Sequence, residues 1–450
     1  MTGRRTEHLV VAALAMAAVV FWAAVPTYPN YDAYYHLVWG RELLDGMKPT
    51  FEAYQAPTEH PLYLAVCALV GLVGEHGDRV LVLLTALSHV AFTWAVYRLG
   101  TAIWDRRAGL MAALLAGSSF ALLLYAARAY VDEPFLALVL WAAAFEAEGR
   151  RRAVLPLLFL AGLLRPEAWL LAGGLWLWRR MPPRELPWVL AAPLVWCAVD
   201  LWVTGDPLYS FHATSELADE LNRNKSLSEV PGDFVRFLAD TAREPVAVAA
   251  AIGVVVAWRR REGRAVYVPL ALFAAGTFTF FATSIAGLSV LPRYLTVPAV
   301  ALCLPAGYLV TRTRWLLGLA IAAGLAFVVV RADAFDRLAT ELRFIRGTHD
   351  DLVGVLHTRE VTDGLRCGPV TLPNYRLVPD TRWILDLPRE RVGSRSARQR
   401  DHGVALLLLG EKLLRRYGFA DGASPITNAP PPGFERAVRH GRFVAYTSCP

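Results

Sequence analysis

A small set of charged side chains stands apart in an otherwise apolar chain. Asp32 sits in NYDAYYH (30–36), Glu59 and His60 in QAPTEHPLY (55–63), and Arg128, Asp132 and Glu133 in RAYVDEP (128–134). Arg165 and Glu167 lie in GLLRPEAW, and Arg293 in LPRY. Arginines hold phosphate through charge-assisted hydrogen bonds, and a carboxylate within reach of a hydroxyl can take its proton. Together these types suit transfer of a group from a phospholipid to an acceptor hydroxyl. Taken singly, each has an ordinary reading: Arg128 and Glu133 as snorkelling or capping residues, Asp32 as a helix cap.

The elements that must carry these residues are membrane helices. The 450 residues are 55% hydrophobic and 19% charged, with a mean hydropathy of +0.37, a balance outside that of soluble domains. Apolar windows fall near 8–25, 80–99, 108–127, 133–148, 154–178 as two short helices, 187–203, 245–258, 265–283, 294–311 and 315–331, predicting roughly eleven crossings. The first run is read as a span rather than a cleaved leader, because cleavage would strand the loop it presents.

The net charge of +7 comes as short arginine clusters between apolar runs, which excludes a nucleic-acid-binding face. Arg4 and Arg5, Arg98 with Arg106 and Arg107, Arg150 to Arg152, Arg179 with Arg180 and Arg184, Arg259 to Arg261 with Arg264, and Arg312 with Arg314 occupy alternate loops. They mark the cytoplasmic side. The alternation holds only if PLYLAVCALVGLVG (61–74) does not cross, and its length is short for a span. With the N-terminus cytoplasmic, the charged residues named above all reach the outer face of the plasma membrane.

Within YDAYYHLVWGRELLDG (31–46), helical spacing aligns Asp32, Tyr35 or His36, Trp39 and Leu43, with Gly46 as a stop. This predicts an amphipathic helix at the outer surface after the first span, with Tyr31, Tyr34, Tyr35 and Trp39 as interfacial anchors. Residues 1–331 are expected to form the membrane domain, with 26–79 as its first outer loop. Residues 332–450, with turn signals at Asp363–Gly364 and Asp421–Gly422 and prolines at 430–432, read as a small extracytoplasmic α/β domain. Cys367 and Cys449 are its two cysteines, and an oxidising compartment favours their pairing. No Walker motif, GxGxxG after a soluble strand, CxxC or internal repeat is present, which leaves nothing for a nucleotide-driven pump.

The order of these motifs resembles the GT-C integral-membrane glycosyltransferases, in the branch of protein O-mannosyltransferases and lipid A aminoarabinose transferase. The resemblance runs through Asp32 after the first span, the stretch from Gly46 to Tyr54, TEHPLY, YVDEP, RPEA, GDPLY (205–209) and PRY (292–294), and covers most of residues 8–311. It implies a polyprenyl-phosphate sugar donor, inverting attack at the anomeric carbon, and Asp32 as general base. It further implies that Glu59 orients acceptor or metal, that Arg293, Arg165, Arg128 and His60 meet the donor phosphate, and that Asp132, Glu133, Tyr35 and His36 line the sugar and acceptor. His60 stands where relatives carry lysine before a doubled proline, so HPL departs from the pattern. A divalent ion would find its ligands among Asp32, His36, Glu59 and His60. Acceptors of the glycan, lipid or protein class all suit this chemistry. A lipid-linked sugar flippase shares the composition but places its polar breaks near the midplane, often in repeated halves. A glycan polymerase or ligase centres instead on a large outer loop.

Overall fold

The computed structural model describes residues 2–220, 226–330, 332–418 and 425–450. The expected Asp421–Gly422 turn lies outside the described residues, as do the side chains of Arg4 and Arg264. The chain divides into two compact units. One comprises Met1–Ala24, Thr58–Tyr63 and Val82–Asp336, and the other Val25–Pro57, Leu64–Leu81 and Arg337–Pro450.

The first unit is helical and apolar. Among the described residues, five helices are long and apolar enough to cross a membrane: Arg5–Ala24, Gly74–Ile103, Pro183–Thr204, Tyr267–Ile285 and Pro292–Val310. Two bent pairs, Arg106–Gly117 with Phe120–Ala127 (62°) and Val230–Ala242 with Glu244–Arg259 (95°), raise the count to seven. The eleven crossings expected from hydropathy are therefore too many. Hydropathy sums over breaks that the backbone makes: Asp132–Ala147 has 16 residues, Val154–Gly162 nine and Glu167–Trp178 twelve. A helix of 16 residues rises about 24 Å, short of a hydrocarbon core of about 30 Å. Pro61–Gly71 is likewise a short apolar helix of 11 residues.

Small residues set the packing of this unit. The largely buried helix Thr296–Val310 lies against Arg106–Gly117, Glu244–Arg259 and Tyr267–Ile285. A Cβ on Gly307 would come within 2.6 Å of the Ala112 backbone nitrogen, the close backbone approach by which helices associate where water supplies no hydrophobic drive.

The second unit carries a five-stranded sheet: β1 Val370–Leu372, β2 Val392–Ser394, β3 Gly403–Leu408, β4 Glu435–His440 and β5 Phe443–Ser448. The order is β2-β1-β3-β5-β4, with β1 parallel to β2 and β3, and β5 antiparallel to β3 and β4. Leu352, Val355, Leu356 and Val361 pack on Val370, Leu372, Val404 and Leu406 to close its core. Cys367 and Cys449 are bonded, Cα to Cα 5.1 Å, tying the C-terminal strand to the helix before β1.

The helix Tyr31–Leu44 belongs to this second unit and is not amphipathic. Ala33 to Gly40 are all buried, with Tyr34, Tyr35, His36 and Trp39 essentially inaccessible. The aromatics expected at headgroup level are core residues, with His36 bonded to the Asp32 carbonyl and the Trp39 indole nitrogen buried without a hydrogen-bond partner. A Cβ on Gly40 would fall 2.5 Å from the Ala68 nitrogen, so only glycine lets the two helices meet. Asp45 follows the helix and Gly46 leaves it at φ +74°, as a left-handed stop residue does.

A buried ion pair fastens this helix. The Arg382 Nη2 donates to Glu42 Oε1 at 2.7 Å, the two side chains being 3% and 7% exposed. Thr50 completes the carboxylate, its backbone nitrogen at 2.8 Å from Oε2 and its hydroxyl at 3.0 Å from Oε1. Nearby, Arg41 donates to Asp386 at 2.5 Å and stacks 3.8 Å from the Trp383 ring. Losing one partner of such a pair strands the other charge, at about 3–5 kcal/mol. Arg382→Met should therefore lower the unfolding temperature of the purified protein in detergent well below that of Arg366→Ala, whose side chain is 84% exposed. Equal melting curves for the two variants would remove the pair from this role.

Candidate functional site

Three polar clusters hold the residues singled out in the sequence. In the first unit, the helix break at 163–166 lets Arg165 project from between the helices Val154–Gly162 and Glu167–Trp178. Its guanidinium donates to Asp132 Oδ1 through Nη1 and to Glu167 Oε1 through Nη2. Nη1 also reaches the Arg293 carbonyl at 3.4 Å, and the charge lies 5.3 Å from the Phe135 and Tyr294 rings. Asp132 and Arg165 are thus brought together, with the PRY segment beside them. Arg165 is committed to two carboxylates, and Arg128 and Arg293 are half-buried guanidinium groups of this unit's RAYVDEP and PRY segments.

Glu133, adjacent in sequence, turns elsewhere. Its Oε2 lies 3.1 Å from His89 Nδ1, while His89 Nε2 is 3.0 Å from the Gly117 carbonyl. A carbonyl only accepts, so Nε2 carries a proton. The Nδ1–Oε2 contact therefore holds one further proton, on nitrogen or on oxygen. Asp132 Oδ2 and Glu133 Oε1 are buried without a hydrogen-bond partner, and each such atom costs about 1–3 kcal/mol unless something else engages it.

The second cluster is built on the TEHPLY segment. Tyr63 donates its hydroxyl to the Ala129 carbonyl at 2.6 Å, and the Leu62 nitrogen to the Leu163 carbonyl at 3.1 Å. The segment is thereby pinned to both the RAYVDEP turn and the RPE break. Glu59, only 2% exposed, faces Asp200 near the end of the helix Leu186–Thr204. Gly205, at φ +85°, ends that helix and lets the GDPLY segment return Ser210 to Asp200. There the Ser210 nitrogen and hydroxyl each donate to the Asp200 carboxylate at 2.9 Å. Trp196 donates to the Ser210 oxygen at 3.1 Å and sits edge-on to His60, 5.7 Å between rings.

Neither Glu59 oxygen closes a hydrogen bond of full geometry, yet the neighbouring carboxylate acts on its ionisation. Burial pushes the Glu59 carboxyl well above the usual range, and the charge of Asp200 pushes it further. Both effects favour the neutral acid, the form that donates a proton or orients a hydroxyl rather than serving as a base.

The third cluster, in the second unit, surrounds Asp32. Asn30 is the helix cap, accepting from the Ala33 nitrogen at 3.1 Å. The reading of Asp32 as cap is thereby corrected: it stands in the first turn, half-buried, where the helix dipole favours a negative charge. His36 Nδ1 donates to the Asp32 carbonyl at 2.7 Å, and burial lowers its pKa to about 4, so the ring stays neutral. Burial raises the Tyr35 hydroxyl to about 12, and Tyr31 packs edge-on to its ring at 5.1 Å while donating to the Gln55 carbonyl at 2.7 Å. Tyr35 and His36 hold the helix that presents Asp32.

Among the described residues, no three His, Cys, Asp or Glu gather to hold a metal ion. Asp32, His36, Glu59 and His60 thus do not form a ligand set. Sequence reasoning missed His89, Asp200 and Ser210. His89 and Asp200 each lie inside an apolar run, and a polar group in such a run was itself the signal.

The first unit also holds an apolar cleft of about 450 Å³, lined by residues including Val139, Leu158, Leu171, Leu175, Trp178 and Leu272.

No family description and no curated protein matches this chain in sequence. Among solved structures, ArnT from Cupriavidus metallidurans bound to undecaprenyl phosphate is similar over 98% of both chains, at a TM-score of 0.59 and 15% identity. The same protein in the apo state gives 0.57 at 16% identity, again over 98% of both chains. Over nearly its whole length, the chain has the GT-C fold of those ArnT structures.

Proposed function

We propose that the protein is a membrane glycosyltransferase that moves a hexosyl or pentosyl group from a polyprenyl-phosphate donor to an acceptor hydroxyl. The observation that carries this reading is the fold shared from end to end with a protein crystallised with undecaprenyl phosphate. The apolar cleft between the helices of the first unit is of a size and lining for an isoprenoid segment. In this reading the reaction takes place on the outer face of the plasma membrane, with the N-terminus cytoplasmic and residues 332–450 extracytoplasmic, following the positive-inside reading of the arginine clusters in the sequence.

In this reaction the acceptor oxygen attacks the anomeric carbon from the face opposite the phosphate. The carbon–oxygen bond to phosphate breaks, polyprenyl phosphate leaves with the bonding pair, and the hydroxyl proton passes to the Asp32 carboxylate. Arg293 and Arg128, with His60, meet the phosphate and its developing charge. Arg165 acts by positioning: it holds Asp132 and Glu167 and sets the PRY segment through the Arg293 carbonyl. Glu59, whose neutral form burial favours, orients a sugar or acceptor hydroxyl.

With purified protein, a panel of polyprenyl-phosphate sugars and membrane extract, Asp32→Asn should slow transfer by about 10²–10⁴-fold. Equal transfer by wild type and variant would sink the assigned base, and movement of the lipid-linked sugar across vesicles without transfer would favour a flippase. Glu59 supplies a second expectation. Its folded pKa lies above the unfolded value of about 4.3, so the folded state binds more protons and stability falls as pH rises from about 4.3 to the raised value. Glu59→Gln, which keeps a neutral group, should show a flatter melting temperature across that window. A parallel pH dependence in wild type and variant would mean that Glu59 ionises normally.

A further inference from the structure

A cleft of about 160 Å³ opens within the second unit, between the Tyr35 and Tyr54 side of the first loop and the β1–β2 end of the sheet. Arg382, Arg389, Arg398 and Arg400 line it against one carboxylate, Glu390. Arg382 is neutralised by Glu42. Arg389 donates to the Glu52 carbonyl at 3.2 Å, a contact that leaves its charge uncompensated. Among the described residues, no ion pair engages Arg389, Arg398 or Arg400, so the cleft carries a net excess of positive charge.

A buried guanidinium adds to it from beneath. Arg395 is 5% exposed and directs all of its hydrogen bonds to neutral oxygens: the Thr371 carbonyl at 2.8 Å and hydroxyl at 3.2 Å, the Leu406 carbonyl at 2.7 Å and the Thr427 carbonyl at 2.9 Å. Burial lowers its pKa to about 10, which leaves it charged at neutral pH. Thr371, which Arg395 contacts, and Ser394, its neighbour in sequence, are part of the cleft lining. A buried cation without a counter-ion is costly to hold, and an anion in the adjoining cleft would offset that cost.

Shape and lining narrow the ligand. The volume is below the 300–1,000 Å³ common for whole small-molecule ligands, which suits a single ring. Tyr54, 39% exposed at the rim, offers a flat face, and Thr371 and Ser394 supply hydroxyls. An arginine fork matches a carboxylate or phosphate in two-point contact. From these features we propose that the cleft is a binding subsite for one acidic sugar residue, bearing a carboxylate or phosphate, of a glycan. The anion site stands on its own geometry; its identity as part of the acceptor rests on the transferase reading above.

The test is equilibrium binding to the full chain in detergent, using methyl glucuronide and a hexose phosphate as probes and neutral methyl glucoside as control. Wild type should bind the two acidic probes and not the neutral one. Arg398→Ala combined with Arg400→Ala should weaken acidic-probe binding about tenfold or more with an unchanged melting temperature. Equal binding of acidic and neutral sugars overturns the proposal, as does binding indifferent to the two arginines. A further arm uses nanodiscs: if phosphatidylglycerol at the membrane, and no free acidic sugar, engages these arginines, the site is a lipid contact and the proposal fails. Binding is read without turnover, so failure here is separate from failure of sugar transfer.

Discussion

The Glu42–Arg382 pair is the contact on which the placement of Asp32 depends. Both groups are buried, and Thr50 satisfies the carboxylate oxygens that the guanidinium leaves open. A buried pair of this kind is weak as a source of net stability and strong as a constraint, because neither partner tolerates any arrangement that omits the other. The consequence is geometric. The helix Tyr31–Leu44 leaves the register of a membrane-surface helix and becomes part of the core of the second unit, together with Val25–Pro57, Leu64–Leu81 and the C-terminal sheet.

The first unit obeys the same constraint with different partners. Arg165 could not be carried into the interior at the break between two short helices without compensation, and Asp132 and Glu167 supply it. His89 does so for Glu133, and the Ser210 donors do so for Asp200. Glu59 is the exception, since it has an acid for a neighbour instead of a base. Burial and the charge of Asp200 both favour its neutral form, so there protonation rather than an opposite charge offsets the cost of burial.

Much of this was legible in the residues. Asp32, Glu59, Asp132, Arg165 and Arg293 stand out because a charge beside a long apolar run demands a reason, and the motif order carried the fold. The C-terminal α/β character was legible from turn signals and short apolar runs. What could not be read was pairing across distance: Glu42 and Arg382 are separated by 340 positions, and neither sits in a motif. Hydropathy misjudged the crossings because it records composition and not the breaks at Ser118–Ser119, Arg243 or 163–166. The helix 31–44 misled for a related reason. Tyrosine, histidine and tryptophan look alike in sequence whether they face headgroups or are buried in a core.

The identity of the cap shows how a single hydrogen bond bears on the assignment of function. Had Asp32 capped the helix, its carboxylate would have been spent on a backbone nitrogen, and its acidity would have served the fold. Asn30 makes that bond instead, two positions earlier and without a charge. The sequence then carries two cap-competent residues where a helix start requires one, and the charged one is left half-buried in the first turn. An Asp retained beside a sufficient Asn cap gains nothing for the helix start beyond a modest dipole term of about 0.3–1 kcal/mol. A carboxylate that does not cap the helix is what the base role proposed for Asp32 calls for.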